Sequence, residues 1–390
     1  MNTNLEEILK LIRGGETSYL QLKQDVRNAT SIAQEMVAFS NSEGGKIIIG
    51  ISDQTGEIIG LSFEDIQRIN SLLTTAAQEH IKNPINIKTE TVEISEKRIV
   101  VLTIPEGTNK PYLDKDGHVF VKNGSDKRKV ISNDELRRLL QSSGNLYAEE
   151  MLIQDSDIYK NLDKDRFSEF YEKRYATLPN WDELSRLLEN LRLARSGKLT
   201  VAGALLFGLD VRYLLPSFYI SAVWFKGNDL TSTEYLKSDN LQGTLKSQFQ
   251  QAFDFIYAKL EKKQNGQDFN SSGIPEIPKI VLHELIINAL VHRDYFIKDS
   301  IKLLVFDNRV EIRSPGILPN HLTEEQIRLG VSKRRNELLS MFALDVLPYR
   351  AIGSGIVRAL QAYPHIDFIN DKVAEEFKVI IKRPEYLDSK

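Results

Sequence analysis

Apolar positions recur every three to four residues over Ser31–Phe39 (Ile32, Met36, Phe39), which predicts a helix. Over Thr17–Arg27 they fall near period two (Tyr19, Leu22, Val26), which predicts a strand with ragged ends. Lys46–Ile51 is a continuous apolar, β-branched run, the pattern of a buried strand. The paired glycines of Asn41-Ser-Glu-Gly-Gly45 break the chain between them, and Asp53-Gln-Thr-Gly56 makes a turn. A helix at Phe63–His80 follows, then strands at Ile85–Ile94, Lys97–Ile104 and Gly117–Lys122, and a helix at Asn133–Gln141. These elements make residues 1–141 an α/β segment.

Residues 142–272 read as a mixed α/β segment. An acidic, helix-favouring stretch carries Asp163, Asp165, Phe167 and Phe170, and a second helix spans Trp181–Leu193. Leu199–Phe207 is rich in small residues and predicts a buried helix; Ser217–Phe225 alternates as a strand, and Gly243–Leu260 returns to helix. The polar run 262–273 reads as a linker. Residues 273–390 are α/β again, with a helix after Pro278 and a hairpin, Ile301–Phe306 and Arg309–Arg313, around Asp307-Asn308. The periodicities alone leave open whether the middle segment folds by itself or completes the C-terminal one.

Composition narrows the chemistry. Of 390 residues, 51 are Lys or Arg and 54 Asp or Glu, a net charge of −3, so bulk basicity cannot carry nucleic-acid binding and any such contact must use local patches. With 41% hydrophobic and 27% charged residues, the chain reads as an ordinary globular protein. It has no cysteine, which excludes disulfides, thiolate metal sites and a cysteine nucleophile, and fits a reducing, cytoplasmic compartment. The acidic start lacks the apolar stretch of a signal peptide, and no apolar run approaches the roughly 20 residues of a membrane span.

Chemistry concentrates in Pro278–Tyr295. Glu284, Asn288 and His292 are spaced i, i+4, i+8 on an otherwise apolar helix, so they form one polar stripe. Burying such groups without partners costs about 1–3 kcal/mol each, so the stripe faces water, a polar network or a ligand. Zinc binding through His283-Glu284 fails, because the motif needs a second histidine where Ile287 stands. Downstream come Ser314-Pro-Gly-Ile-Leu-Pro319 and Ala351-Ile-Gly-Ser-Gly-Ile-Val-Arg358, a Gly-x-Gly turn opening a helix, which suits an anion such as phosphate. Lys333-Arg334-Arg335 and Asn336, between the two turns, read either as phosphate contacts or as an exposed helix start.

The order Glu-x-x-x-Asn-Ala, Ser-Pro-Gly-x-Leu-Pro, Gly-x-Gly-Ile resembles the ATP-binding (Bergerat) α/β sandwich of the GHKL superfamily. More closely, Ala289–Tyr295, Glu311–Gly316 and Gly353–Ile356 resemble its divergent form in bacterial Schlafen/AlbA-type transcriptional regulators. The resemblance implies ATP or a related nucleotide with Mg²⁺. Asn288 would hold the metal, Glu284 would orient or deprotonate water if the site is an active ATPase, and Gly353 and Gly355 would wrap the phosphates. His292, Ser314 and Gly316 complete the expected nucleotide contacts. Where the superfamily has an aspartate for the adenine amine, this chain has Ser314, which removes that basis for adenine specificity.

Gly15–Lys23, Ala38–Asp53 and Gly56–Gly60, extended by Pro111-Tyr112 and Val119–Ser125, resemble the Schlafen AlbA-like domain. That resemblance implies nucleic-acid binding and, in some relatives, a metal-dependent ribonuclease with two glutamates five apart and a distant aspartate. Glu16 and Asp53 match the first and last, whereas Gln21 stands at the second and offers a neutral amide in place of an anionic ligand. Phosphate contacts are expected from Lys23, Arg27, Lys46 and the cluster Lys122, Lys127, Arg128 and Lys129.

Three readings follow: a nucleotide-responsive, nucleic-acid-binding regulator (DNA or RNA), possible as a homodimer; a Schlafen-like ribonuclease gated by nucleotide; and a scaffold whose two modules have lost their chemistry. The remainder beyond the Gly-x-Gly turn reads as too short for the winged helix that relatives carry.

Overall fold

The computed structural model describes residues 5–53, 55–144, 146–231, 233–263, 273–319, 322–348 and 355–384. The chain divides into two compact units, Met1–Leu146 and Tyr147–Lys390.

In the first unit, α1 (Leu5–Gly14), which the sequence pattern had not singled out, precedes β1 (Leu20–Lys23), α2 (Ala29–Asn41), β2 (Gly45–Ile49), α3 (Phe63–Glu79), β3 (Lys88–Ile94) and β4 (Lys97–Ile104). The strands form a sheet in the order β1-β2-β4-β3, with β1 and β2 parallel and the other pairs antiparallel. Strand alternation explains the unbroken isoleucine run. Ile47 and Ile49 face a core with Ile32, Met36 and Phe39 of α2 and Leu73 of α3, while Ile48 faces Ile8 and Ile12 of α1. The hairpin β5 (Phe120–Asn123) and β6 (Asp126–Lys129) leads to α4 (Asn133–Ser142).

The glycine pair after α2 is dictated by close approach. A Cβ on Gly44, whose φ is +73°, would lie 2.6 Å from the Glu106 nitrogen, and one on Gly45 2.5 Å from the Phe39 ring. Buried Asn41 donates from Nδ2 to the carbonyls of Tyr112 and Phe120, both at 2.9 Å, and accepts the Tyr112 N–H at 2.7 Å.

The second unit is built on a six-stranded sheet running Tyr235–Leu241, Ile220–Phe225, Ile301–Val305, Arg309–Pro315, Glu376–Lys382 and Ile366–Asp371. Ile220–Phe225 pairs in parallel with Ile301–Val305, so strands from the middle segment complete the C-terminal sheet, and the boundary expected near 272 falls within this unit. The expected hairpin is present, with Val305 opposite Val310. Val310 and Ile312 point into the core with Leu282, Leu285 and Ile286 of the helix Lys279–His292. On the opposite face, Arg309 and Arg313 both hold Glu311. The small-residue helix Val201–Phe207 is buried throughout, as its sequence predicts. Among the described residues no helix is long and apolar enough to cross a membrane. The linker expected at 262–273 lies largely outside the described residues.

Candidate nucleotide pocket and AlbA-like surface

The polar stripe lines a cavity. Glu284, Asn288 and His292, Ser314 and Gly316 at the end of the second hairpin strand, and Gly355 all face it, with Ile312, Leu322, Phe368, Phe377 and Val379 among its apolar walls. Six of the residues expected at a nucleotide site are thus brought together from three separate stretches of chain. Gly353 lies outside the described residues.

Each contact has a local cause. Strand alternation places Ile312 and Ser314 on the cavity side and Arg309, Glu311 and Arg313 on the other. Ser314 Oγ donates to the Ala289 carbonyl at 3.1 Å, which ties the strand end to the striped helix. Glu284 is buried, and its Oε1 accepts from Arg358 Nη2 on the helix Gly355–Ala362. A Cβ on Gly355 would meet Glu284 Oε2, so a larger residue where that helix begins would have to displace the carboxylate. Half-buried Asn288 makes no hydrogen bond to any described residue through its carboxamide. Burial, with the Arg335 and Arg334 charges, pushes the His292 imidazole down to about 4, so at neutral pH it is an uncharged donor and acceptor.

Arg335 and Asn336 support the cavity rim. Asn336 Nδ2 donates to the carbonyls of Val291 at 2.9 Å and Arg293 at 2.8 Å, satisfying the end of the striped helix. Arg335 donates to the carbonyls of His292 and Ile317. The next helix, Glu337–Val346, is capped by Glu149, whose two oxygens accept the N–H groups of Leu338 at 2.9 Å and Leu339 at 2.6 Å. Arg358 and Glu149 were not picked out from the sequence. Arg358 follows the Gly-x-Gly turn by three residues on the same helical face, a usable signal; Glu149 is nearly 190 residues from its partners in sequence and left none.

Oxygen donors suit Mg²⁺; the Asn288 carboxamide, without a partner among the described residues, could hold such an ion, which would supply charge neutralisation on phosphate. The Glu284 carboxylate is engaged by a guanidinium, and proton uptake there would weaken that pair.

In the first unit, Glu16 holds a residue of β1 and Asp53 the residue just after it. Glu16 Oε1 accepts the Leu22 N–H at 2.9 Å, and Asp53 Oδ1 the Gln24 N–H at 2.6 Å. Gln21, between them, is buried with its Oε1 unpaired. The cluster of three potential ligand groups within 4.8 Å found among the described residues is Asp114, Asp116 and His118, to which neither Glu16 nor Asp53 belongs. Asp114 there is already satisfied by the N–H groups of Asp116 and His118 and by Gln34.

The expected basic contacts divide. Arg27 pairs with Asp25 at 2.7 Å, Lys127 with Glu35 at 3.0 Å, and Arg128 grips both oxygens of Glu135. Lys122 is buried over the Phe39 ring, 3.9 Å from Glu35, and burial lowers its ammonium pKa. Lys23, Lys46 and Lys129 have no ion pair among the described residues, so the available positive charge is smaller than the sequence count implies.

Residues 16–131 match the family "Schlafen, AlbA_2", and residues 298–380 match "Putative ATP-dependent DNA helicase recG C-terminal". The chain therefore combines an AlbA-type N-terminal domain with an ATPase-like C-terminal one, the architecture expected from its motifs. Among solved structures, the DIP2311 protein from Corynebacterium diphtheriae is 17% identical, covers 97% of this chain and 80% of its own, and has a TM-score of 0.47. The N-terminal domain of a RecG-related protein from Nitrosomonas europaea is 19% identical over 34% of this chain and 97% of its own, with a TM-score of 0.26. No curated protein matches.

Proposed function

We propose that the protein is a nucleotide-responsive, nucleic-acid-binding regulator whose second unit binds a Mg²⁺–nucleoside triphosphate, ATP being the ligand that the resemblance names. The observation that carries this reading is the convergence of Glu284, Asn288, His292, Ser314, Gly316 and Gly355 on one cavity. Asn288 in particular is a polar group whose carboxamide has no partner among the described residues, on an otherwise apolar helix, and a bound ion or phosphate would satisfy it. The phosphates belong at the Gly355 end, where a helix begins beside the cavity, and the base belongs toward Ser314 and Gly316. Ser332 and Lys333 also line the cavity, so a bound nucleotide contacts the segment before the helix Glu337–Val346 and could signal through it.

The AlbA-type unit supplies the nucleic-acid partner, DNA or RNA, through Lys23, Lys46 and Lys129. With few available cations, binding is weak and strongly salt-dependent. Such a regulator works in the cytoplasm, where nucleotide and nucleic acid are both at hand.

Calorimetric titration of the full chain with nucleoside triphosphates, with and without Mg²⁺, tests the proposal. Binding strengthened by Mg²⁺ and weakened about tenfold by Asn288→Ala is expected, the loss of one charge-assisted contact. Failure of the wild type to bind any triphosphate would refute it.

A further inference from the structure

We propose that this cavity selects a 6-oxopurine base, as in guanine nucleotides, over adenine, with Arg335 as the specificity-determining residue. The inference rests on the nucleotide reading above and names the class of base. Among the described residues Glu284 is the one carboxylate lining the cavity, and it belongs to the phosphate end, paired with Arg358. Eight helical residues, about 12 Å at 1.5 Å each, separate it from His292 at the other end. Asp294 packs behind Gly316 at that end but does not line the cavity, so among the described residues no cavity-lining carboxylate there meets the adenine amine.

That end holds a cation. Arg335 lines the cavity and makes no ion pair with a described residue. Two of its contacts go to main-chain carbonyls, those of His292 at 3.4 Å and of Ile317. A guanidinium has five N–H donors, so donors remain, with the Asp294 charge nearby but no ion pair made to it. Gly316 admits the group: its φ is +99°, and a Cβ there would lie 2.4 Å from Arg335 Nη1. Ser314, the residue at the adenine-reading position, spends its hydroxyl proton on the Ala289 carbonyl.

A donor-rich, positively charged base end complements acceptors. Guanine and hypoxanthine present O6 and N7 side by side, the pair that an arginine fork meets bidentately, whereas adenine presents an amine donor in place of O6. A cation facing that amine leaves donors opposed.

The test is binding of GTP, ITP and ATP, each with Mg²⁺, to the full chain. GTP and ITP should bind tighter than ATP on the order of tenfold or more, the discrimination typical of a good bidentate contact. ITP lacks the 2-amino group, so its agreement with GTP assigns the preference to O6. Arg335→Lys keeps the charge but loses the fork, and should bring the GTP:ATP ratio toward one. ATP binding as tight as or tighter than GTP overturns the inference while leaving the nucleotide reading intact. Binding of no triphosphate overturns both. Because Arg335 also braces the loop at Ile317, the wild-type series decides the matter even if the variant folds poorly.

Discussion

Glu149 should make the second unit less stable as pH rises through neutrality. The residue is fully buried, and burial pushes its carboxyl up from 4.5 to about 7, more than the two N–H groups of Leu338 and Leu339 pull it down. A folded value above the unfolded one means that the folded state holds the proton more tightly. The contribution is therefore complete below about pH 4.5 and lost as pH climbs through about 7. The separation of about 2.5 pH units, at 1.36 kcal/mol per unit, corresponds to about 3 kcal/mol. Glu149→Gln mimics the protonated acid, so at pH 5 it should lie within about 1 kcal/mol of wild type. By pH 8.5 the variant should be the more stable by about 3 kcal/mol. Both tryptophans, Trp181 and Trp224, lie in the second unit, so urea denaturation followed by tryptophan fluorescence reports on it directly. Comparing variant with wild type cancels the other titrating groups. Parallel pH profiles, or a wild type that gains on the variant as pH rises, would refute the reasoning.

Gly355→Ala should cost about 1–3 kcal/mol by the same fluorescence assay, because the added Cβ forces the Glu284 carboxylate to shift against Arg358; an unchanged midpoint would show that no such close approach exists. In the first unit, Lys23→Gln, Lys46→Gln or Lys129→Gln should each reduce the slope of log affinity for duplex DNA against log salt by about 0.9, whereas Arg128→Gln, already paired with Glu135, should leave it unchanged. Equal effects at all four positions, read by fluorescence anisotropy, would mean that the internal pairs open on binding.

Local pattern carried much of this structure. The isoleucine run at 46–51, the helix at Phe63–Glu79 and the hairpin around Asp307-Asn308 follow from periodicity and turn chemistry, because each is decided within a few residues. The strand read over Thr17–Arg27 shortened to Leu20–Lys23, and just after it the Gln24 N–H goes to Asp53 in place of a strand partner. The strand Tyr235–Leu241 was missed, since its mostly exposed, polar sequence carries no alternation; it is an edge strand placed by pairing with Ile220–Phe225. The cavity's stripe was legible because three polar groups at helical spacing interrupt an apolar helix. What holds that stripe was not legible. Arg335, Asn336 and Glu149 act on partners more than 40 residues away or, for Ile317, on a backbone carbonyl, and no local pattern encodes such contacts.

Hydrogen-bond satisfaction separates the two candidate sites more sharply than residue type does. Glu16 and Asp53 are carboxylates at positions where a nuclease would need them, yet each already accepts a backbone N–H, that of Leu22 in β1 and that of Gln24 just after it, and Gln21 adds no charge. Drawing them onto a metal would free those amides at a cost of about 1–3 kcal/mol apiece unless water replaced the bonds. Lys122, Lys127 and Arg128 are similarly committed, to Glu35 and Glu135. In the second unit the assignment runs the other way. The scaffold contacts fall to Asn336, Ser314 and Glu149, while the Asn288 side chain has no partner among the described residues, His292 is held neutral, and Arg335, with Asp294 nearby, keeps guanidinium donors at the same cavity. Groups left unsatisfied together in one apolar cavity are costly to keep, and a ligand with complementary donors and acceptors would remove that cost. This contrast is what favours the cavity of the second unit as the ligand site in the reading proposed above, while the carboxylates of the first unit hold the N–H groups of Leu22 and Gln24.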